Sequence, residues 1–119
     1  MMLIKSSSYK KKMKENLYKR QISYVLYKIK QENDLPYFSL SYCVLSTHGE
    51  SLKIYLAFFQ KELQKLDKER YLELMNKKYS FLIKKELVKK KVFRRIPSLR
   101  FFIDKEYEMI SKLQKTNYS

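Results

Sequence analysis

Between Asp67 and Pro97 the chain contains neither glycine nor proline, and through that stretch Leu72, Met75, Tyr79, Leu82, Ile83 and Leu87 recur at mostly three- and four-residue steps. A run of this kind folds as one long amphipathic helix, or as two helices joined end to end at a bend. Asp67 is a good N-cap for it, and Leu66 just before is placed to staple against Tyr71. Pro97 closes the run. Proline disfavours helical backbone at the residue before it and supplies no N–H to a ladder, so it suits the first residue of a strand. The residues after it alternate, with Leu99, Phe101 and Ile103 on one face and Arg100, Phe102 and Asp104 on the other, the period of a strand with one buried side. A long helix running straight into a half-buried strand restricts the chain to folds in which helices cover a sheet.

The N-terminal half supplies the rest of that sheet. Residues 1–14 contain Ser6-Ser7-Ser8 and Lys10-Lys11-Lys12-Met13-Lys14, a polar, like-charged run read as a flexible basic arm. From Leu17, the residues Tyr18, Ile22, Val25, Leu26 and Ile29 form the apolar stripe of a helix ending near Asn33-Asp34, ahead of Pro36. Phe38, Leu40, Tyr42 and Val44 then alternate with Ser39, Ser41, Cys43 and Leu45, and Leu52, Ile54, Leu56 and Phe58 alternate with Lys53, Tyr55, Ala57 and Phe59. Between these strands Ser46-Thr47-His48-Gly49-Glu50 holds the only glycine, where a chain reversal needs positive φ. A short amphipathic piece with Tyr107, Ile110 and Leu113 comes after the third strand. The expected fold class is α+β: a basic arm over 1–14, then one domain over 15–119 with a three-stranded sheet covered by helices on one face.

A chain of 119 residues that is 45% hydrophobic and 15% aromatic is too rich for a disordered polymer and buries roughly two thirds of its unfolded surface. Against 12 acids stand 27 lysines and arginines, for a formal net charge of +15. Such a field attracts polyanions, of which nucleic acid and an anionic membrane face are the candidates. No apolar run reaches the length of a spanning helix, and Met1-Met2-Leu3-Ile4 is too short for a signal-peptide core. The lack of a secretory signal leads to the expectation of a reducing compartment, and Cys43, the only cysteine, excludes an internal disulfide and multi-cysteine zinc sites.

The catalytic inventory is empty. His48 is the only histidine and falls in a turn; Cys43, on a strand, reads as a small apolar residue. Asp34, Asp67 and Asp104 lie at element ends, where capping and turns account for them. With one glycine there is neither a Walker loop nor a dinucleotide fingerprint. No enzyme activity, cofactor, metal or small-molecule substrate is expected. The cations, by contrast, are concentrated: Lys77, Lys84 and Lys91 recur one heptad apart, Lys78, Lys85, Lys89 and Lys90 spread around them, and Glu86 is the only acid between Lys77 and Arg95. On the outer sheet face Lys53, Tyr55, Arg100 and Phe102 interleave charge with rings, a mixture that pairs phosphate and stacks bases.

Two strings carry a resemblance. Val44-Leu45-Ser46 leading into a turn, and then Leu52-Lys53-Ile54-Tyr55-Leu56-Ala57-Phe58, are similar to the valine-x-serine and "AKVYVSF"-like hairpin of the ribosome-binding factor A family. Arg94-Arg95-Ile96-Pro97-Ser98-Leu99-Arg100-Phe101-Phe102-Ile103-Asp104 resembles that family's arginine, "VPEL" and "F…D" strand. The resemblance spans roughly Tyr18 to Leu113 and implies a type II KH-like sandwich, α-β-β-α-(kink)-α-β. In that family an Ala-x-Gly kink stands for the usual Gly-x-x-Gly loop. Register from Pro97 puts the kink at Tyr79-Ser80-Phe81, with neither alanine nor glycine, so the bend is weaker, displaced, or made by Ser80 bonding back to the preceding turn. His48-Gly49 also departs from the family's aspartate turn, and Ser98 from its glutamate.

The resemblance implies a ribosome assembly factor, monomeric and cytoplasmic or organellar, that binds the small ribosomal subunit precursor and its 16S-type rRNA during late maturation. Phosphate contacts are assigned to Lys77, Lys84, Lys85, Lys89, Lys91, Arg94, Arg95 and Arg100, helped by the arm at Lys10 to Lys14. Two other readings compete. A DNA-binding accessory protein would use the same basic face, although a central hairpin is foreign to a helix-turn-helix domain. A peripheral membrane or scaffolding protein would turn Tyr18, Ile22, Val25 and Leu26 towards lipid.

Overall fold

The structure, a computed structural model of the chain, describes residues 2–33, 35, 38–59, 64–91 and 93–110. Its elements are α1 (Met2–Asn33), β1 (Phe38–Leu45), β2 (Ser51–Phe58), α2 (Lys65–Leu74), a π-helical turn (Met75–Tyr79), α3 (Ser80–Lys90) and β3 (Ser98–Ile103), followed by helical residues 105–110. The sheet order is β1-β2-β3. β2 pairs antiparallel with β1 and parallel with β3, so the helical run between β2 and β3 is a crossover, as a parallel pair requires.

The hydrophobic core lies between one sheet face and the helices. Ile22 from α1, Leu52, Ile54 and Leu56 from β2, and Ile83 and Leu87 from α3 are completely buried, each stabilising the fold by roughly 1.5–3 kcal/mol. Tyr18, Val25, Leu26 and Ile29 complete the α1 stripe, and Leu99 and Phe101 add the inner face of β3. α1 is tied to β1 near both ends of the strand. The Leu45 N–H donates to the Glu15 carboxylate (2.7 Å), and the Lys30 ammonium donates to the Phe38 carbonyl (2.6 Å).

Three local expectations change. α1 begins at Met2, so the stretch 2–14, read as a flexible arm, is helical and continuous with the helix expected from Leu17. No glycine or proline breaks residues 1–33, and Lys, Met, Glu and Leu are good helix formers. Residues 9–14 are nevertheless exposed throughout.

β1 also departs from strict alternation. A bulge between Leu40 and Tyr42 inserts one residue, Ser41, and switches the faces beyond it. Cys43 and Leu45 are therefore buried with Phe38 and Leu40, while Tyr42 and Val44 are on the outer face, so neither alternating set keeps to one side. Finally, Asp67 is the third residue of α2 rather than its cap. Gln64 is the N-cap, and its N–H donates to the Asp67 carboxylate (3.2 Å). Leu66 is consequently exposed, and Tyr71 packs towards Phe58 instead.

The long helical run is interrupted by the π turn at Met75–Tyr79. Its last residues meet Ser80, whose hydroxyl donates to the Asn76 carbonyl four residues back (2.6 Å), the back-bond expected at that position. The wider turn aims Asn76 at the free edge of β3: the Phe101 N–H donates to Asn76 Oδ1 (2.8 Å) and Asn76 Nδ2 donates to the Phe101 carbonyl (3.2 Å). One side-chain amide thus stands in for a fourth strand at that position. Asp104 caps the helical residues 105–110, accepting from the Tyr107 N–H (3.2 Å). Asp34, Pro36 and Leu113 lie outside the described residues.

Candidate nucleic-acid interface

All eight residues assigned to phosphate contact are exposed, and the elements sort them into three places. Lys77 is on the π turn; Lys84, Lys85 and Lys89 are on the solvent side of α3, away from Ile83 and Leu87; Lys91, Arg94 and Arg95 follow in the link to β3. Arg100 is separate. It sits on the outer side of β3, across the sheet from α3, because Leu99 and Phe101 on either side of it turn into the core. Lys84 and Lys85 at the middle of α3, Lys89 in its last turn and Lys91, Arg94 and Arg95 in the link beyond it therefore follow one another along the chain, and Arg100 is left on the other face. The π turn also shifts Lys77 off the heptad line through Lys84, since it takes up one extra residue.

Electrostatics separate these residues further. Lys77 pairs with Glu73 (2.7 Å) and Lys89 with Glu86 (3.4 Å). The Glu73 hydrogen bond holds the Lys77 ammonium above its ordinary range and the Glu73 carboxyl below its own, so part of Lys77's charge is already answered. Lys84, Lys85, Lys91, Arg94 and Arg95 have no ion pair among the described residues. Their charge is free for an external anion.

The link carrying the two arginines is held in place. Tyr18 of α1 stacks on Phe93 with ring centroids 4.3 Å apart, and its hydroxyl donates to the Arg95 carbonyl (3.3 Å). Burial pushes the Tyr18 hydroxyl above its ordinary pKa, which keeps it a donor. Lys91 ends α3 in left-handed backbone, φ 56° and ψ 22°, with its N–H on the Val88 carbonyl (3.2 Å). That conformation is one glycine favours, and a lysine there costs backbone energy.

A further group of cations and a ring lies where the sequence did not point. Lys90 crosses from α3 to α1, donating to Gln21 Oε1 (2.9 Å) with its ammonium 4.5 Å from the Tyr24 ring centre, and Lys28 reaches the same ring at 5.1 Å. Tyr24, 57% exposed, is a ring framed by two cations beside the α3 cluster. The spacing of Tyr24 and Lys28 at i and i+4 was a legible signal for one of these contacts; that of Lys90 depends on helix packing and was not.

Cys43 is buried, and desolvation, opposed by Lys19 and reinforced by Glu15, pushes its thiol up to about 12. It is a packed thiol, not a nucleophile near neutral pH. No group of His, Cys, Asp and Glu among the described residues has metal-site geometry. No helix of the described residues is long and apolar enough to cross a membrane.

The sequence profile of the ribosome-binding factor A family matches residues 10–116. A comparison with curated proteins finds no match. Among solved structures, ribosome-binding factor A from Thermus thermophilus is similar, with 22% identity and a TM-score of 0.60 over 78% of this chain and 94% of that one. The shared architecture is KH-like, an α+β sandwich with a three-stranded mixed sheet. With a family profile covering nearly all of its residues and the fold to match, the chain belongs to the ribosome-binding factor A family.

Proposed function

We propose that this protein is a non-enzymatic ribosome assembly factor that binds the small ribosomal subunit precursor through its 16S-type rRNA, using the exposed cations of α3 and of the link that follows it. The observation that carries the reading is the group Lys84, Lys85, Lys91, Arg94 and Arg95, exposed and without ion pairs among the described residues, on α3 and in a link pinned to α1. Folded RNA offers phosphates and shape more readily than base edges, and a fixed set of cations suits that target. Lys77 and Lys89 contribute less, because Glu73 and Glu86 already answer them. The exposed lysines of residues 9–14 extend the basic surface as an arm, and residues from 15 onward form the KH-like domain. The protein acts as a monomer in the cytoplasm or an organellar interior.

The test is recovery of ribosomal particles with the tagged full chain. Wild-type protein should enrich small-subunit precursors, and K84E/K91E/R95E should recover none while melting at the wild-type temperature. Equal recovery with the charge-reversed protein rejects the assignment.

A further inference from the structure

The sheet face turned away from the helices carries two rows of side chains that the α3 reading does not use. Strand pairing aligns Val44, Lys53 and Arg100 in one row and Tyr42, Tyr55 and Phe102 in the next, the rows lying two residues or ~7 Å apart. In the first row two cations stand directly opposite each other on neighbouring strands, an arrangement that destabilises a sheet. No acid pairs with either among the described residues. An anion bridging Lys53 and Arg100 would relieve that repulsion.

The second row is a continuous stack. Tyr42 and Tyr55 lie 4.4 Å apart and 15° from parallel, and Tyr55 and Phe102 lie 5.5 Å apart at 27°. The Lys53 ammonium is 5.9 Å from the Phe102 ring centre, which ties the rows together. Tyr42 is the terminal ring, on edge strand β1 and 40% exposed, with no described ring stacked beyond it. The aromatic row opens into a cleft of about 970 Å³ between α2 and the end of β3, where Lys65, Lys68 and Lys105 mix with Glu69, Glu106 and Glu108.

We propose that this outer sheet face is a second RNA site, for a short single-stranded segment whose phosphate bridges Lys53 and Arg100 while a base stacks on Tyr42. Paired cations and free aromatic faces together select unpaired nucleotides, because a duplex keeps its bases inside. An acidic peptide would use the cations but have nothing to place on the rings. The inference rests on the assembly-factor reading only in taking RNA as the partner. It gives Arg100, stranded from the α3 cluster, a site of its own.

The test measures binding of the full chain to two labelled probes, a single-stranded oligoribonucleotide of about 10 nucleotides and a blunt RNA duplex. K53Q/R100Q should weaken single-strand binding about tenfold and duplex binding less than about threefold, while melting no lower than wild type. Tyr42→Leu should weaken single-strand binding about fivefold or more, and Tyr42→Phe should retain it. K84E/K91E/R95E should do the reverse, losing the duplex and keeping the single strand. Wild-type single-strand affinity in K53Q/R100Q, equal affinities for the Tyr42→Leu and Tyr42→Phe proteins, or displacement by poly-glutamate more readily than by unlabelled single strand would each overturn the proposal. If K84E/K91E/R95E still binds duplex while the Lys53 and Arg100 effects hold, the α3 reading fails and this one stands.

Discussion

Lys91 adopts φ 56°, the one left-handed non-glycine among the described residues, at the point where α3 hands over to the arginine link. Strain of this kind persists where the surroundings or the function require it. Lys91→Gly should therefore raise thermal stability, by about 1 kcal/mol, and weaken RNA binding; a gain in stability with unchanged affinity removes Lys91 from the interface. Cys43 provides a second residue-scale check. Its folded pKa is raised from 9.0 to about 12, so the unfolded chain loses its proton first. The contribution is complete below pH 9 and lost as pH rises towards 12, and Tyr18, raised by burial, acts in the same direction above 10. Native protein at pH 8 should react with a thiol reagent only as fast as it opens, and fast labelling without denaturant contradicts the buried position. Cys43 was readable as a packed residue, since a lone cysteine on a strand has few other uses. Asp67 was not readable as a third helical residue, because a capping box and an N-cap differ only in where the preceding turn begins.

At the scale of elements, β1 and the helix interrupted by a π turn show what pattern does and does not encode. β2 and β3 alternate through residues 52–56 and 98–101, where their faces follow the sequence, and Ala57 beyond them is buried as well. β1 reads Phe-Ser-Leu-Ser-Tyr-Cys-Val-Leu, apolar on both faces beyond Leu40, so period alone cannot say whether Tyr42 or Cys43 goes inside. Register against β2 decides it, and the bulge at Ser41 absorbs the difference. Deleting Ser41 leaves Leu40, Cys43 and Leu45 in unbroken alternation, so that variant should fold with a stability change within about 1 kcal/mol, measured by denaturant unfolding. Failure to fold would show that the bulge itself is required. Register from Pro97 pointed to within a few residues of the π turn without its form, since a π turn has no glycine or proline to announce it. Asn76→Ala would strip partners from both backbone groups of Phe101 at the β3 edge and should destabilise the fold by roughly 1–3 kcal/mol. A loss below about 0.5 kcal/mol would mean that water replaces the amide freely.

The whole molecule is legible in its sums before its geometry. A net charge of +15 and an empty catalytic inventory pointed to a polyanion, and the order of helices and strands fixed which layer the lysines would decorate. The partition of cations between two faces was legible in part, since alternation about Leu99 and Phe101 already put Arg100 on the outer sheet face; the parallel pairing that sets Arg100 beside Lys53 was hidden. Also hidden were the contacts between α1 and α3 that frame Tyr24, which join residues far apart in the chain.

Recognition of folded RNA through phosphates by the cations of α3 and of the link that follows it is the central claim, and its most direct measurement is the salt dependence of binding to a structured small-subunit rRNA fragment. With six to ten phosphates neutralised, affinity should fall by about 10³ to 10⁵ between 50 and 200 mM salt. Replacing Lys84, Lys91 and Arg95 with glutamine should flatten the slope of log affinity against log salt by about 2 to 3. A slope that is shallow in the wild type, or unchanged by those three substitutions, contradicts the account.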